Sequence, residues 1–138
     1  MKKNVKGFTL IELLAVIVIL AVIALIATPI IMGVINDAKE GANKDAAYGV
    51  THAVETAIAV QMAKDPSFAP DCTTAATISN GTVTACGVTA TFKGTAPTAV
   101  SIVLDSKNAA TAGTTVTFSG GKAYEMNAAG EFSAKTGS

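Results

Sequence analysis

One carboxylate, Glu12, stands inside the most apolar part of this sequence and is the first residue whose type and position suggest a specific interaction. Residues 13–27 are fifteen consecutive apolar residues, and residues 8–35 contain no other ionisable side chain. As a helix, residues 8–35 would extend about 42 Å, more than the roughly 30 Å hydrocarbon core of a bilayer. A carboxylate at that depth costs on the order of 2.5–3.5 kcal/mol and usually has a definite partner. The sequence therefore predicts a partner for Glu12.

Three interpretations compete for this apolar stretch. A cleaved secretory signal has an apolar region of roughly 7–15 residues followed by a small-x-small site, and this stretch is longer and has its small residues three apart. A membrane anchor explains the length, and Lys2, Lys3 and Lys6 would hold the N-terminus in the cytoplasm. A simple anchor, or an anchored binding module, leaves the cost of Glu12 unrelieved.

The third interpretation is a family resemblance carried by Gly7, Phe8 and Glu12 within the string Gly-Phe-Thr-Leu-Ile-Glu-Leu. This string resembles the prepilin signature of type IV pilins, here of the type IVa-like major pilins. In that family a membrane peptidase cuts after the residue corresponding to Gly7 and methylates the new amino group on Phe8. The resemblance implies that the apolar segment is kept and that Phe8 is the first residue of the mature chain.

The resemblance also implies an assembly chemistry and a set of partners. Glu12 of a subunit joining a filament would be attracted to the Phe8 amine of a neighbour, so that two groups costly in lipid neutralise each other. The partners would be further copies of the chain, the prepilin peptidase, an inner-membrane platform protein and an assembly ATPase. Adhesion, surface motility or aggregation would be the function. A pseudopilin of a type II secretion or competence system shares the signature and is the alternative.

Composition limits the other function classes. The 138 residues include no arginine, and without residues 1–7 seven lysines remain against ten acidic residues. A basic footprint for nucleic acid is therefore missing. His52 is the only histidine and falls on the polar side of a predicted helix, with no nucleophile or phosphate-binding motif to join it. We expect neither an enzyme nor a bound cofactor or metal.

The apolar stretch should continue into one long helix. Pro29 removes a backbone hydrogen bond and Gly33 weakens the same turn, so we predict local opening between residues 24 and 33 in a filament. Beyond residue 36 the helix becomes amphipathic and should end near Lys64 or Asp65, because Pro66 disfavours a helical residue before it. The predicted apolar stripe contains Ile35, Ala38, Ala42, Ala46, Val50, Ala53, Val54, Ala57, Ile58 and Met62.

Short runs rich in threonine and valine follow a loop and predict β-strands. They are residues 75–79, 82–85, 88–93, 99–104, 114–118 and 122–126, with a further short strand around Phe132. Asn80 and Gly81 predict a two-residue hairpin turn. We expect an antiparallel meander of about four strands on the helix. Val103 falls outside the inward alternation of its strand, so the other sheet face or a neighbour should cover it.

Cys72 and Cys86 lie beyond the membrane segment, in a compartment that permits disulfides. Bridging them would contribute about 3 kcal/mol in the chain-entropy model. They are not opposite each other in the predicted hairpin, so either the hairpin ends early or the bridge ties down the loop that leads into it. Asp65 and Asp71 are weak candidates for a calcium loop, and Asn80 begins a glycosylation sequon that the hairpin turn alone explains.

The predicted architecture is therefore α+β, with a long N-terminal helix packed on a small antiparallel β-sheet head. Its segments are a leader (1–7), an apolar helix (8–35), the amphipathic half of the same helix (36–65) and the head (66–138). We expect a single-pass membrane location with a cytoplasmic N-terminus before assembly, and an extracellular filament afterwards.

Overall fold

The computed structural model describes residues 7–136, in which a 55-residue helix, α1 (Leu10–Lys64), precedes a series of short strands. The last hydrogen bond of its C-terminal turn runs from the Asp65 N–H to the Gln61 carbonyl oxygen at 2.8 Å. Pro66 follows, and the carboxylate of Asp65 then accepts the Ser67 N–H at 3.0 Å. The predicted end of the helix is confirmed. The chain divides into two compact units between Lys39 and Glu40.

In the first unit, α1 remains helical through Pro29 and Gly33. The hydroxyl of Thr28 donates a hydrogen bond to the Ala24 carbonyl at 2.7 Å, a type of contact that often bends helices. A Cβ placed on Gly33 would meet no atom within 4 Å, so packing within the chain does not require a glycine there. Local opening of this segment in a filament stays a prediction.

The described part of the second unit, residues 40–136, contains seven strands: β1 (Thr77–Ser79), β2 (Thr82–Ala85), β3 (Val88–Thr91), β4 (Ala99–Ser101), β5 (Thr115–Thr117), β6 (Ala123–Met126) and β7 (Phe132–Ala134). They form two antiparallel sheets, in the orders β1-β2-β3 and β4-β5-β6-β7. The α+β class is confirmed, as are the hairpin at Asn80 and Gly81 and the short strand at Phe132. The expected single meander of about four strands is wrong.

The segment between β3 and β4 explains the division into two sheets. Gly94 has a φ of +112°, a left-handed conformation that turns the chain away from an extended path. Pro97 has no N–H to donate to a strand ladder. β4 therefore pairs with β5, from Ala99 opposite Thr117 to Ser101 opposite Thr115, and β3 is left as an edge strand.

The core lies between the C-terminal part of α1 and the two sheets. From Ala46 onward the predicted stripe is buried or half-buried, with Ala53, Ala57 and Met62 half-buried, whereas Ala38 and Ala42 are exposed. Fully buried residues with less than 2% exposure include Val50, Thr51, Val54, Ile58, Val83, Val116, Phe118 and Tyr124.

The long connection between β4 and β5 is attached to α1 by side-chain contacts. A carboxylate oxygen of Glu55 accepts the Ala110 N–H at 2.6 Å, and the Asn108 amide lies 3.4 Å from the Met62 sulfur. Buried Thr114 exchanges two hydrogen bonds with the backbone of Val103, at 3.0 and 3.2 Å. These contacts fix Val103 and its neighbours at the surface of the head.

Two tyrosines give a matched prediction about the stability of the head. The Tyr48 hydroxyl accepts the Phe132 N–H at 2.9 Å, whereas the buried Tyr124 hydroxyl has no hydrogen-bond partner among the described residues. We expect Tyr48→Phe to cost about 1–2 kcal/mol, because it leaves a partly buried N–H unpaired. Tyr124→Phe should be neutral or stabilising, because it removes a desolvated hydroxyl.

Thermal unfolding of the full chain in detergent micelles, followed by circular dichroism, measures both variants. About 1 kcal/mol corresponds to a shift of roughly 4–8 °C in a head of this size. A larger loss from Tyr124→Phe than from Tyr48→Phe would contradict the prediction.

Candidate processing and assembly site

The bond between Gly7 and Phe8 lies outside the helix, which begins at Leu10. The Phe8 side chain is 84% exposed, and a Cβ on Gly7 would meet no atom within 4 Å. The fold therefore leaves this bond accessible and imposes no packing requirement for glycine at position 7. Lys2, Lys3 and Lys6, predicted to orient the chain in the membrane, lie outside the described residues.

Glu12 and Thr9 form a reciprocal pair of hydrogen bonds at the start of α1. The Thr9 N–H donates to Oε2 of Glu12 at 2.9 Å, and the Glu12 N–H donates to the Thr9 hydroxyl oxygen at 3.3 Å. This is a capping box, in which each side chain satisfies a backbone N–H that the first turn leaves unpaired. The role of Thr9 was not predicted from the sequence, although the pattern Thr-x-x-Glu before an apolar run indicates it.

The capping box places a negative charge one residue from the bond between Gly7 and Phe8. The helix dipole favours an anion at this end. Oε2 of Glu12 is occupied by the Thr9 N–H, and Oε1 accepts no hydrogen bond within residues 7–136. One carboxylate oxygen therefore accepts an N–H at the start of its own helix, and the other can accept a further hydrogen-bond donor.

The described residues leave the apolar part of α1 uncovered. Its large hydrophobic side chains from Phe8 to Ile35 are between 40% and 84% exposed. In length and composition α1 is capable of crossing a membrane, and its most apolar window is wholly exposed. Such a surface must be buried in lipid or against other protein, because water opposes its exposure.

Cys72 and Cys86 are joined by a disulfide with an S–S distance of 2.03 Å. Cys72 lies in the loop after α1, and Cys86 lies in the tight turn between β2 and β3. The Phe68 ring packs over the same turn, with two carbons 3.4 Å from where a Cβ of Gly87 would stand. Of the two arrangements left open by the sequence, the structure has the disulfide that ties down the loop.

Asp65 and Asp71 each close a local turn. Asp65 accepts hydrogen bonds from the hydroxyl and backbone N–H of Ser67, and Asp71 accepts the same pair from Thr73. These hydrogen bonds lower the pKa of both carboxyls by favouring the charged form. Among residues 7–136 no three metal-binding side chains come together. The calcium hypothesis gains no support from this loop.

His52 lies on the polar side of α1, as predicted, with its side chain 75% exposed. Its Nδ1 is 3.0 Å from Oε2 of Glu55, the residue that also holds Ala110. No nucleophile contacts His52 among the described residues. Asn80 is exposed at its turn with a φ of +46°, a conformation that the hairpin requires.

Comparison with known families gives one match. A family model described as the prokaryotic N-terminal methylation motif matches residues 2–28. No curated protein and no solved structure matches the chain significantly. The match covers the exposed bond after Gly7, the capping box and most of the apolar part of α1.

Proposed function

Because this chain carries the type IV pilin and prepilin signature, we propose that it is a structural subunit of a type IV pilus. The observation that carries the proposal is the exposed N-terminal site. There the bond after Gly7 lies beside the capping box formed by Glu12, at the start of an apolar helix whose large side chains are exposed. The subunit polymerises into a helical filament that supports adhesion, surface motility or aggregation.

Maturation begins with cleavage of the bond between Gly7 and Phe8 by a prepilin peptidase. The free space around Gly7 supports this step, because the chain's own packing gives no reason for glycine there. Cleavage leaves a cationic amine on Phe8, and the same peptidase methylates it. Methylation keeps a basic nitrogen, so the positive charge remains.

Assembly pairs the Phe8 amine of one subunit with Glu12 of another. Oε1 of Glu12 accepts no hydrogen bond from residues 7–136, which supports this pairing, because the carboxylate can accept a second donor without giving up the Thr9 N–H. In lipid or in a filament core each charge alone would be expensive, and together they offset that cost. A platform protein and an assembly ATPase deliver the subunits and supply the work.

The apolar helix passes from one apolar environment to another during assembly. Before assembly it anchors the subunit in the membrane with the N-terminus in the cytoplasm, and afterwards the helices bundle inside an extracellular filament. The exposure of the large hydrophobic side chains from Phe8 to Ile35, at 40% to 84%, supports both states. Pro29 and Gly33 let the helix open locally as the subunits pack.

A surface pilus is favoured over a pseudopilin by the outer face of the β1-β2-β3 sheet. Thr77, Thr84 and Thr89 lie side by side across the three strands and are exposed. A face of uncharged hydroxyl and methyl groups remains soluble on the outside of a long filament. The location of the filaments decides the question, because a pseudopilin would stay within the cell envelope.

Intact-mass and N-terminal analysis of the protein from its native cells tests the processing step. We expect a chain that starts at N-methylated Phe8, and electron microscopy of the same cells should show surface filaments that contain it. A chain that retains residues 1–7, without filaments, would overturn the proposal. Filaments confined to the envelope would replace the pilus with a pseudopilus.

A further inference from the structure

Two large aliphatic side chains are exposed on the head. Val60 on α1 is 47% exposed, and Val103, just after β4, is 41% exposed. The other large hydrophobic side chains that are exposed in residues 7–136 all belong to the apolar helix, from Phe8 to Ile35. Val103 was predicted to be covered either by the other face of the sheet or by a neighbouring molecule. Because the side chain stays 41% exposed within the described residues, a neighbouring molecule is the cover that we consider.

Val60 lies in an open groove of about 480 Å³ between α1 and the edge strand β3, here called the α1–β3 groove. Ala53, Ala57 and Phe92 also line it, so its floor is apolar. Lys93 stands at its rim and forms no ion pair within residues 7–136. His52 lines the helix side, where its Nδ1 faces Glu55. The groove is therefore apolar with a cationic rim.

Val103 lies in a second depression, of about 590 Å³, here called the Val103 patch. Ala69 and Pro70 contribute apolar surface, and Asp71 and Asp105 contribute carboxylates. Backbone N–H groups of Ala109 and Lys107 bind Asp105 and lower its pKa, with a smaller contribution from the Lys107 charge. Hydrogen bonds from the hydroxyl and the backbone N–H of Thr73 lower the pKa of Asp71. The patch is therefore apolar with an anionic rim.

We propose that the Val103 patch of one subunit docks into the α1–β3 groove of the next copy of this chain. The inference rests on the proposed filament and names the contact between its heads. The two surfaces are different parts of the head, so the contact is heterologous and repeats along a helical polymer. Val103 would pack against Val60, and Lys93 would approach Asp71 and Asp105.

Charge complementarity is the reason to choose a second copy as the occupant. Each surface places one exposed valine beside charged side chains of opposite sign: Lys93 lines the groove, and Asp71 and Asp105 line the patch. Complementary potentials fix register and exclude wrong arrangements, since like charges brought together are costly. Two copies meeting groove to groove or patch to patch would place like charges together, which favours the head-to-tail contact.

Cysteine crosslinking in assembled filaments tests the contact. The full-length chain carrying both Val60→Cys and Val103→Cys is expressed in cells that lack the wild-type copy. Its sheared filaments are treated with a short bismaleimide, with which the disulfide-bonded Cys72 and Cys86 do not react. We expect a ladder of covalent oligomers. Either single variant, or Val60→Cys combined with Ser133→Cys on β7, should give no ladder.

A charge series gives an independent readout of the same contact. Lys93→Glu should lower the yield of sheared filaments by about tenfold or more, because it brings like charges together. Ala69→Lys, placed in the same chain, should restore much of the yield by supplying a cation to the Val103 patch. Lys122→Glu makes the same charge change at an exposed turn outside both surfaces and should keep the wild-type yield.

The outcomes separate this contact from the proposed function. Filaments of the doubly substituted cysteine chain that give no ladder, or a ladder of equal strength in the Ser133→Cys control, would overturn the contact and leave the pilus standing. Should the cysteine chain form no filaments, an unchanged yield in Lys93→Glu would overturn the contact. Absence of filaments from the wild-type chain in its native cells would remove the proposed function and this inference together.

Discussion

A Glu12→Ala variant should be cleaved after Gly7 and inserted in the membrane, yet yield almost no filaments. Without the carboxylate, the Phe8 amine of a neighbouring subunit would enter an apolar filament core with no partner. Leaving one charge of a buried pair unpaired costs roughly 3 kcal/mol or more, which corresponds to about a 100-fold loss in an assembly equilibrium. The yield of sheared filaments, measured beside the intact mass of the membrane-bound subunit, checks both halves of this prediction.

Glu12→Gln is the matched control, because the capping box and the proposed pairing with the Phe8 amine are separable roles of Glu12. An amide oxygen can still accept the Thr9 N–H that Glu12 Oε2 accepts at 2.9 Å, so the capping box survives in this variant. The negative charge does not. We expect Glu12→Gln to lose filaments as Glu12→Ala does. Wild-type filament yield from Glu12→Gln would mean that residue 12 acts only as a helix cap.

Removal of the disulfide should be the largest single loss of stability in the head. Cys72 and Cys86 are separated by 14 positions, and a loop of that size contributes about 3 kcal/mol in the chain-entropy model. The double variant Cys72→Ala, Cys86→Ala should therefore unfold more than about 10 °C below the wild type. Thermal unfolding of the full chain in detergent micelles measures this shift.

The double variant removes the buried Cys86 side chain, which is 1% exposed, as well as the crosslink. Reduction of the wild-type chain is the control that separates these two effects. Reduction opens the crosslink and keeps both side chains, so it should account for most of the loss, and a reductant should not affect the double variant. A double variant that unfolds within about 2 °C of the oxidised wild type would contradict the chain-entropy estimate. The released loop includes Asp71, so the head contact proposed above should weaken as well.

The features that depend only on residues close together in the chain could be predicted from the amino-acid sequence. Gly7, Phe8 and Glu12 carry the signature in six consecutive positions. The end of α1 at Lys64 follows from Pro66 two positions later, and the first hairpin follows from Asn80 and its neighbour Gly81. The capping box was not predicted, but it depends only on Thr9 and Glu12, which lie within four consecutive residues. A local pattern was therefore sufficient to find it.

Tertiary structure alone decided how distant segments meet. The division into two sheets depends on β4 pairing with β5, across the connection between them, and not with β3. The connection between β4 and β5 is attached to α1 by the hydrogen bond from Ala110 to Glu55, two residues that are 55 positions apart. No local pattern encodes such contacts, because many alternative pairings satisfy the same strand propensities and only burial of the whole core selects one. The same selection left Val60 47% exposed and Val103 41% exposed at the surface of the head.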